Sequence, residues 1–137
     1  MKNYLVILLF ATLSFTACKK DEVVPETPDY SNQVIGNYAV SRLDLNGKIA
    51  ILPANGVTSG VQIKVLSKNR VQLILTVQSS TQKTVYNFLP NDVRKDPNAQ
   101  LLIFDTPYLG EYAPTIKRLS LSGVTEAGET IKVIAYN

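Results

Sequence analysis

The feature that most constrains this fold is the period of two with which apolar residues recur. Val61, Ile63 and Val65 are separated by single polar residues, and the same alternation runs over 70–78. Successive side chains of a β-strand point to opposite faces, so this pattern is typical of a strand with one buried face. The two runs are joined by Lys68-Asn69, which predicts a hairpin.

Further runs of this kind bring the number of predicted strands to about eight. Between them lie turn sequences rich in Gly, Asn and Pro, such as Asn46-Gly47, and no stretch of more than ten residues has capped helical spacing. Eight short strands with one apolar face must close or fold over to hide that face and their edges. We therefore expect an all-β fold, an antiparallel up-and-down β-barrel in preference to a strongly bent sandwich. The other predicted strands are 35–45, 48–52, 84–89, 100–105, 115–122 and 129–136.

The N-terminal residues predict where in the cell the protein is located. Lys2 is followed by an apolar stretch over 5–13, too short to cross a bilayer, and then by Phe15-Thr16-Ala17-Cys18. These four residues resemble the lipobox of bacterial lipoproteins, which implies that 1–17 is a cleaved signal peptide and that Cys18 carries lipid, palmitate included. The alternative is a chance thiol in an ordinary secretory signal.

The mature chain divides into a tether and one domain. Residues 18–33 are rich in Pro and charge, which predicts a flexible tether, and 34–137 has the length of one small domain. No aspartate directly follows Cys18, which favours the outer membrane. Lys20-Asp21-Glu22 is similar to tags that send lipoproteins to the cell surface, although such charges also serve solubility, so both the periplasmic and the surface face stay open.

The composition argues against catalysis and against nucleic acid. The chain has no histidine and Cys18 is its only cysteine, so Ser-His-Asp and Cys-His arrangements are impossible. We expect no enzyme, no metal and no cofactor; Asp105 and Glu111 form the best carboxylate pair, but loop carboxylates are usually solvated. The net charge is +3, and the basic residues are scattered, so nucleic acid is not an expected partner.

The predicted barrel resembles the lipocalin-like domains of bacterial lipoproteins. The resemblance is carried by Gly36-Asn37-Tyr38 at the start of the first long strand, by the following Asn46-Gly47 hairpin and by the strand count over 34–137. It implies that Tyr38 is an aromatic plug at the closed end of the barrel. Tyr38 could equally be a cross-strand aromatic that serves the sheet.

Aromatic residues also flank a predicted connection over 107–114. Phe104, Tyr108 and Tyr112 are expected near the barrel mouth, and these three residues and Tyr38 are the predicted ligand contacts; loop tyrosines are also ordinary packing lids. Two runs break the alternation, so that Ile74 and one pair within 101–104 must face outward. An outward apolar stripe is either a partner surface or is covered by a neighbouring loop.

Two functions remain open for the domain. In the first, the barrel or its mouth binds a small apolar or amphipathic ligand; in the second, a non-catalytic subunit docks its outer face on a larger envelope complex. A cavity of a few hundred Å³ inside the barrel favours the first. A filled barrel with an exposed apolar stripe favours the second.

Overall fold

The computed structural model describes residues 26–105 and 108–137, without the side chain of Tyr108. The predicted signal peptide and Cys18 therefore lie outside the described residues. The described chain contains a short helix, α1 (Ser31–Val34), and a 3₁₀ turn at Pro114–Ile116. The strands are β1 (Gly36–Leu45), β2 (Lys48–Ile51), β3 (Thr58–Ser67), β4 (Arg70–Gln78), β5 (Lys83–Asn87), β6 (Asn91–Lys95), β7 (Leu102–Asp105), β8 (Tyr108–Ala113), β9 (Arg118–Val124) and β10 (Thr130–Tyr136).

The strands form a closed antiparallel barrel, which confirms the predicted fold class. Strands β1, β3, β4, β6, β7, β8, β9 and β10 follow one another around it, and β10 closes the circle by pairing with β1 over 39–45. Two further strands accompany these eight. β2 lies along the same edge of β1 as β3, and β5 lies along the same edge of β4 as β6. Each pair therefore resembles one long strand interrupted by a loop.

Two strands were missed in the sequence. Pro90-Asn91-Asp92 has the composition of a turn, yet Asn91 and Asp92 pair with β4 and residues 93–95 pair with β7. The expected long connection over 107–114 was wrong, because 108–113 forms β8 and pairs with β7 and β9. Gly110 lies where β8 closely approaches β9.

Aliphatic and aromatic side chains of the barrel's own strands are buried in its core. Of the alternating apolar residues in β3 and β4, Val65 and Val77 are partly exposed and the others are buried. Ile74 and Ile103 face the other way and are partly exposed, as the broken alternation required. The fully buried large side chains are Tyr38, Ile63, Leu73, Leu75, Phe88, Phe104, Leu119, Leu121 and Ile131.

One end of the barrel is closed by the segment that precedes β1. Asp29 Oδ1 accepts hydrogen bonds from Ser31 Oγ at 2.6 Å and from the backbone N–H of Asn69 at 3.3 Å. The Asn69 side chain donates in return to the carbonyl of Pro28 at 2.9 Å. These bonds attach residues 28–31 to the β3–β4 turn. We call this the Asp29 clamp, and the contacts of the folded domain therefore begin before residue 34.

Candidate functional site

Tyr38 lies at the end of the barrel that α1 closes. Its hydroxyl donates a 2.8 Å hydrogen bond to the carbonyl of Val34, and its ring meets that of Tyr112 edge to face, with centroids 5.7 Å apart. Tyr38 is buried, and this burial raises the pKa of its phenol. The two tyrosines thus pack against each other at the end of the barrel that α1 closes.

The other predicted ligand contacts are divided along the barrel. Phe104 is fully buried in β7. Tyr108 begins β8 and Tyr112 lies four positions further along it, roughly 13 Å away in an extended strand. The structure therefore brings Tyr38 and Tyr112 together but separates Tyr112 from the start of β8. Ligand binding by this set stays a prediction.

A depression of about 420 Å³ lies on the outer face of the barrel, where β1 meets β10. We call it the β1–β10 groove. Its volume falls within the range of small-molecule sites, and it is open to solvent. The side chains that matter for its chemistry are Arg42, Asp44, Ile49, Ser122, Lys132 and Ile134.

Two cations of the groove have no ionic partner within the described residues. The register pairs Arg42 with Ile134 and Asp44 with Lys132 on neighbouring strands, so Arg42 and Lys132 are diagonal neighbours on the same face. Such neighbours have Cβ atoms about 7–8 Å apart, within reach of long side chains. Asp44 Oδ1 accepts a 2.8 Å hydrogen bond from the backbone N–H of Gly47, which holds this carboxylate to the hairpin turn.

Strand β2 presents an apolar edge beside the groove. Ile49 is 57% and Ile51 65% exposed. Asn46 and Gly47 both have positive φ, which suits a two-residue hairpin turn, and Leu45 pairs with Lys48 across it. In such a hairpin the backbone groups of Lys48 and Ala50 face β1, while those of Ile49 and Ile51 face outward. We call the outward backbone groups and side chains of these two isoleucines the β2 edge.

The β2 edge has no strand beside it in the described part of the chain, since β2 pairs with β1 alone. Strand β5 also pairs with a single neighbour, but the carbonyl of Asn87 accepts a 3.2 Å hydrogen bond from the backbone N–H of Glu126. Strand β5 therefore has a hydrogen-bonding neighbour on its other edge, whereas β2 has none among the described residues. Sequence alternation located β2, but it gave no sign that this strand would stay uncovered.

The predicted carboxylate pair is engaged by arginines. Arg94 Nε donates to Asp105, and this hydrogen bond lowers the pKa of Asp105; Arg118 lies 3.7 Å from a carboxylate oxygen of Glu111. Among the described residues, no group of three or more Asp, Glu, Cys or His side chains is placed to hold a metal ion. The described helices include none with the length and apolar character needed to cross a membrane.

The chain matches no family model, no curated protein and no solved structure.

Proposed function

We propose that this protein is a lipoprotein of the outer membrane, anchored through lipid on Cys18, whose barrel is a non-catalytic subunit that docks on a larger envelope protein. The observation that carries the proposal is the contrast between inside and outside. The interior is occupied by buried aromatic and aliphatic side chains, whereas Ile49 and Ile51 are mostly exposed. This contrast favours docking over a ligand held inside the barrel. The position of Tyr38 supports the lipocalin-like resemblance.

The docking mode that fits the β2 edge is addition of an extended segment of the partner. The outward N–H and C=O groups of Ile49 and Ile51 would form backbone hydrogen bonds with that segment. Their side chains, which lie on the face shared with Arg42, would bury apolar area against it. Lys48 and Pro53 flank this short edge and limit pairing to a few residues, as charged residues and proline do on other sheet edges.

The Asp29 clamp and the β2 edge are at opposite ends of the barrel. The chain enters through the Asp29 clamp at the end where β1 begins, and β2 pairs with the last four residues of β1. A lipid on Cys18 would therefore hold the closed end toward the bilayer. The β2 edge would then face away from the membrane, where a large partner has access.

The test is site-specific photo-crosslinking in cells that express the full chain. A photoreactive residue replaces Ile51, and the matched control replaces Val85, which is 48% exposed on β5. We expect a discrete adduct at position 51 and little at position 85. Ile49→Pro removes one outward N–H, so it should reduce the yield at position 51 at least fivefold. Equal adducts at the two positions, or an adduct that Ile49→Pro leaves unchanged, would contradict docking at the β2 edge.

A further inference from the structure

We infer that the β1–β10 groove is a binding site for a small free amphiphile with an anionic head, a phosphate or a carboxylate, and a short aliphatic tail. The inference goes beyond the proposed docking function, since it concerns the groove, which shares only Ile49 with the β2 edge, and requires no partner protein. Three properties of the groove carry it: the arrangement of its charges, its apolar wall and its volume.

The charges of the groove select an anionic head. Arg42 and Lys132 are exposed, and neither has an ion pair within the described residues. Their diagonal relation across β1 and β10 allows both side chains to converge on one anionic group. A guanidinium binds carboxylate or phosphate oxygens in a bidentate manner, and an ammonium adds a further donor. The hydroxyl of Ser122, on β9 next to Lys132, supplies another donor.

Among the described residues, Asp44 is the one carboxylate that lines the groove. It lies opposite Lys132 in the register, but one of its oxygens is held by the N–H of Gly47. The lining therefore contains two cations and one anion, which leaves a net positive charge. Asp44 lies two positions from Arg42 on the same face of β1, so an anionic head would approach Arg42 from the side of Ile134, its partner on β10.

The tail is accommodated by the apolar part of the same lining. Ile49 of β2 and Ile134 of β10 both contribute to the groove, on either side of β1. A volume of about 420 Å³ suits a single small molecule, whereas a bilayer lipid carries two long acyl chains. The groove also lies toward the end of β1 that is remote from the Asp29 clamp. These properties favour a free amphiphile.

The experiment is an NMR titration of the full chain, isotope-labelled and held in nonionic detergent, with hexyl phosphate as the probe. Hexanol and inorganic phosphate are titrated separately, so that the tail and the head are each tested alone. We expect backbone amide shifts centred on Arg42, Ser122 and Lys132. The affinity for hexyl phosphate should exceed that for either half-probe at least tenfold.

Variants assign the contributions of the side chains. The double variant Arg42→Gln/Lys132→Gln should weaken hexyl phosphate binding at least tenfold, while Lys83→Gln/Lys117→Gln, which changes the net charge equally outside the groove, should stay within twofold. Ile49→Ser should weaken hexyl phosphate at least threefold and leave inorganic phosphate unchanged. The same spectra show whether each variant is folded.

Four results would overturn the inference. If inorganic phosphate bound as tightly as hexyl phosphate, the groove would be an anion site only. If hexanol bound as tightly as hexyl phosphate, it would be an apolar surface only. The other two results are amide shifts centred outside the groove and no binding of hexyl phosphate at all. None of these outcomes bears on the crosslink at position 51. A failure of the docking proposal would likewise leave the titration unaffected.

Discussion

At the scale of single residues, Gly110 explains why β8 escaped recognition in the sequence. Its φ is +152°, and a Cβ added there would collide with the backbone of Ser120 and Leu121 on β9. The glycine therefore permits a close approach of two strands. In the sequence, the same residue between Pro107 and Pro114 read as part of a turn-rich connection.

Gly110→Ala should consequently destabilise the barrel by about 2–3 kcal/mol, the scale of a strained backbone position, with the steric conflict adding to the conformational one. The matched control is Gly60→Ala, whose Cβ would meet the carbonyl oxygen of Tyr38 at an acceptable 3.4 Å. Denaturant unfolding monitored by circular dichroism measures both. If Gly110→Ala lowered the free energy of unfolding no more than Gly60→Ala does, the result would contradict the close approach of β8 and β9.

Also at this scale, the fates of Tyr38 and Tyr112 show the limits of reasoning from aromatic position. Both were predicted as ligand contacts, and both are buried against each other at the closed end. A substitution of Tyr112 therefore removes core packing, so any effect on a ligand would be hard to separate from a loss of stability. Ligand binding is better tested at exposed groove residues such as Arg42.

At the scale of elements, the Asp29 clamp joins the entering chain to the β3–β4 hairpin. The hydrogen bond from the Ser31 side chain is the main cause that lowers the pKa of Asp29 below its usual value of 3.8, and the backbone N–H of Asn69 contributes in the same direction. A group with a lowered folded pKa stabilises the fold above its unfolded pKa. This contribution is lost as the pH falls through the folded value.

Asp29→Asn should therefore lower the melting temperature at pH 7, and the difference from the wild type should shrink at pH 3 and below. Thermal unfolding followed by circular dichroism at both pH values measures this gap. Glu126→Gln is the control, because Glu126 is exposed and its side chain makes no described bond; we expect it to melt like the wild type. If the difference in melting temperature between Asp29→Asn and the wild type were as large at pH 3 as at pH 7, the effect would come from hydrogen-bond geometry and not from the charge of Asp29.

At the scale of the whole molecule, closure of the barrel depends on the pairing of β1 with β10. The paired residues are some ninety positions apart in the chain. Ser41 Oγ, for example, donates a hydrogen bond to the carbonyl of Ile134, which is 93 residues away. This pairing buries the inward faces of both strands and removes two free edges. It also creates the β1–β10 groove. The candidate site is thus a consequence of closure and not of any local motif.

The proposed anchor is tested at this scale as well. Cys18→Ser removes the thiol that would carry lipid, and Cys18 lies eleven positions before Asp29, so the barrel should fold unchanged. We expect the variant to leave the membrane fraction and to melt at the wild-type temperature once purified. Fractionation with immunodetection measures the first and circular dichroism the second. Continued membrane association equal to that of the wild type would refute lipid anchoring through Cys18.

The sequence by itself determined the features that local patterning controls. Alternation in 61–65 and 70–78 predicted the strands and the inward phase of residues such as Leu73, and eight predicted apolar faces favoured a closed barrel over a bent sandwich. The same patterning could not reveal β6, since Asn91 and Asp92 carry turn chemistry and acquire strand geometry only by pairing with β4.

Only the tertiary structure decided what the barrel offers to other molecules. Whether the interior is filled depends on how side chains from distant strands meet, as Tyr38 and Tyr112 do. Whether Ile49 is covered, and whether Arg42 meets Lys132, depends on which strands become neighbours. Alternation predicts that a side chain faces outward from the barrel. What surrounds that side chain on the outer face is set by contacts between residues far apart in the chain.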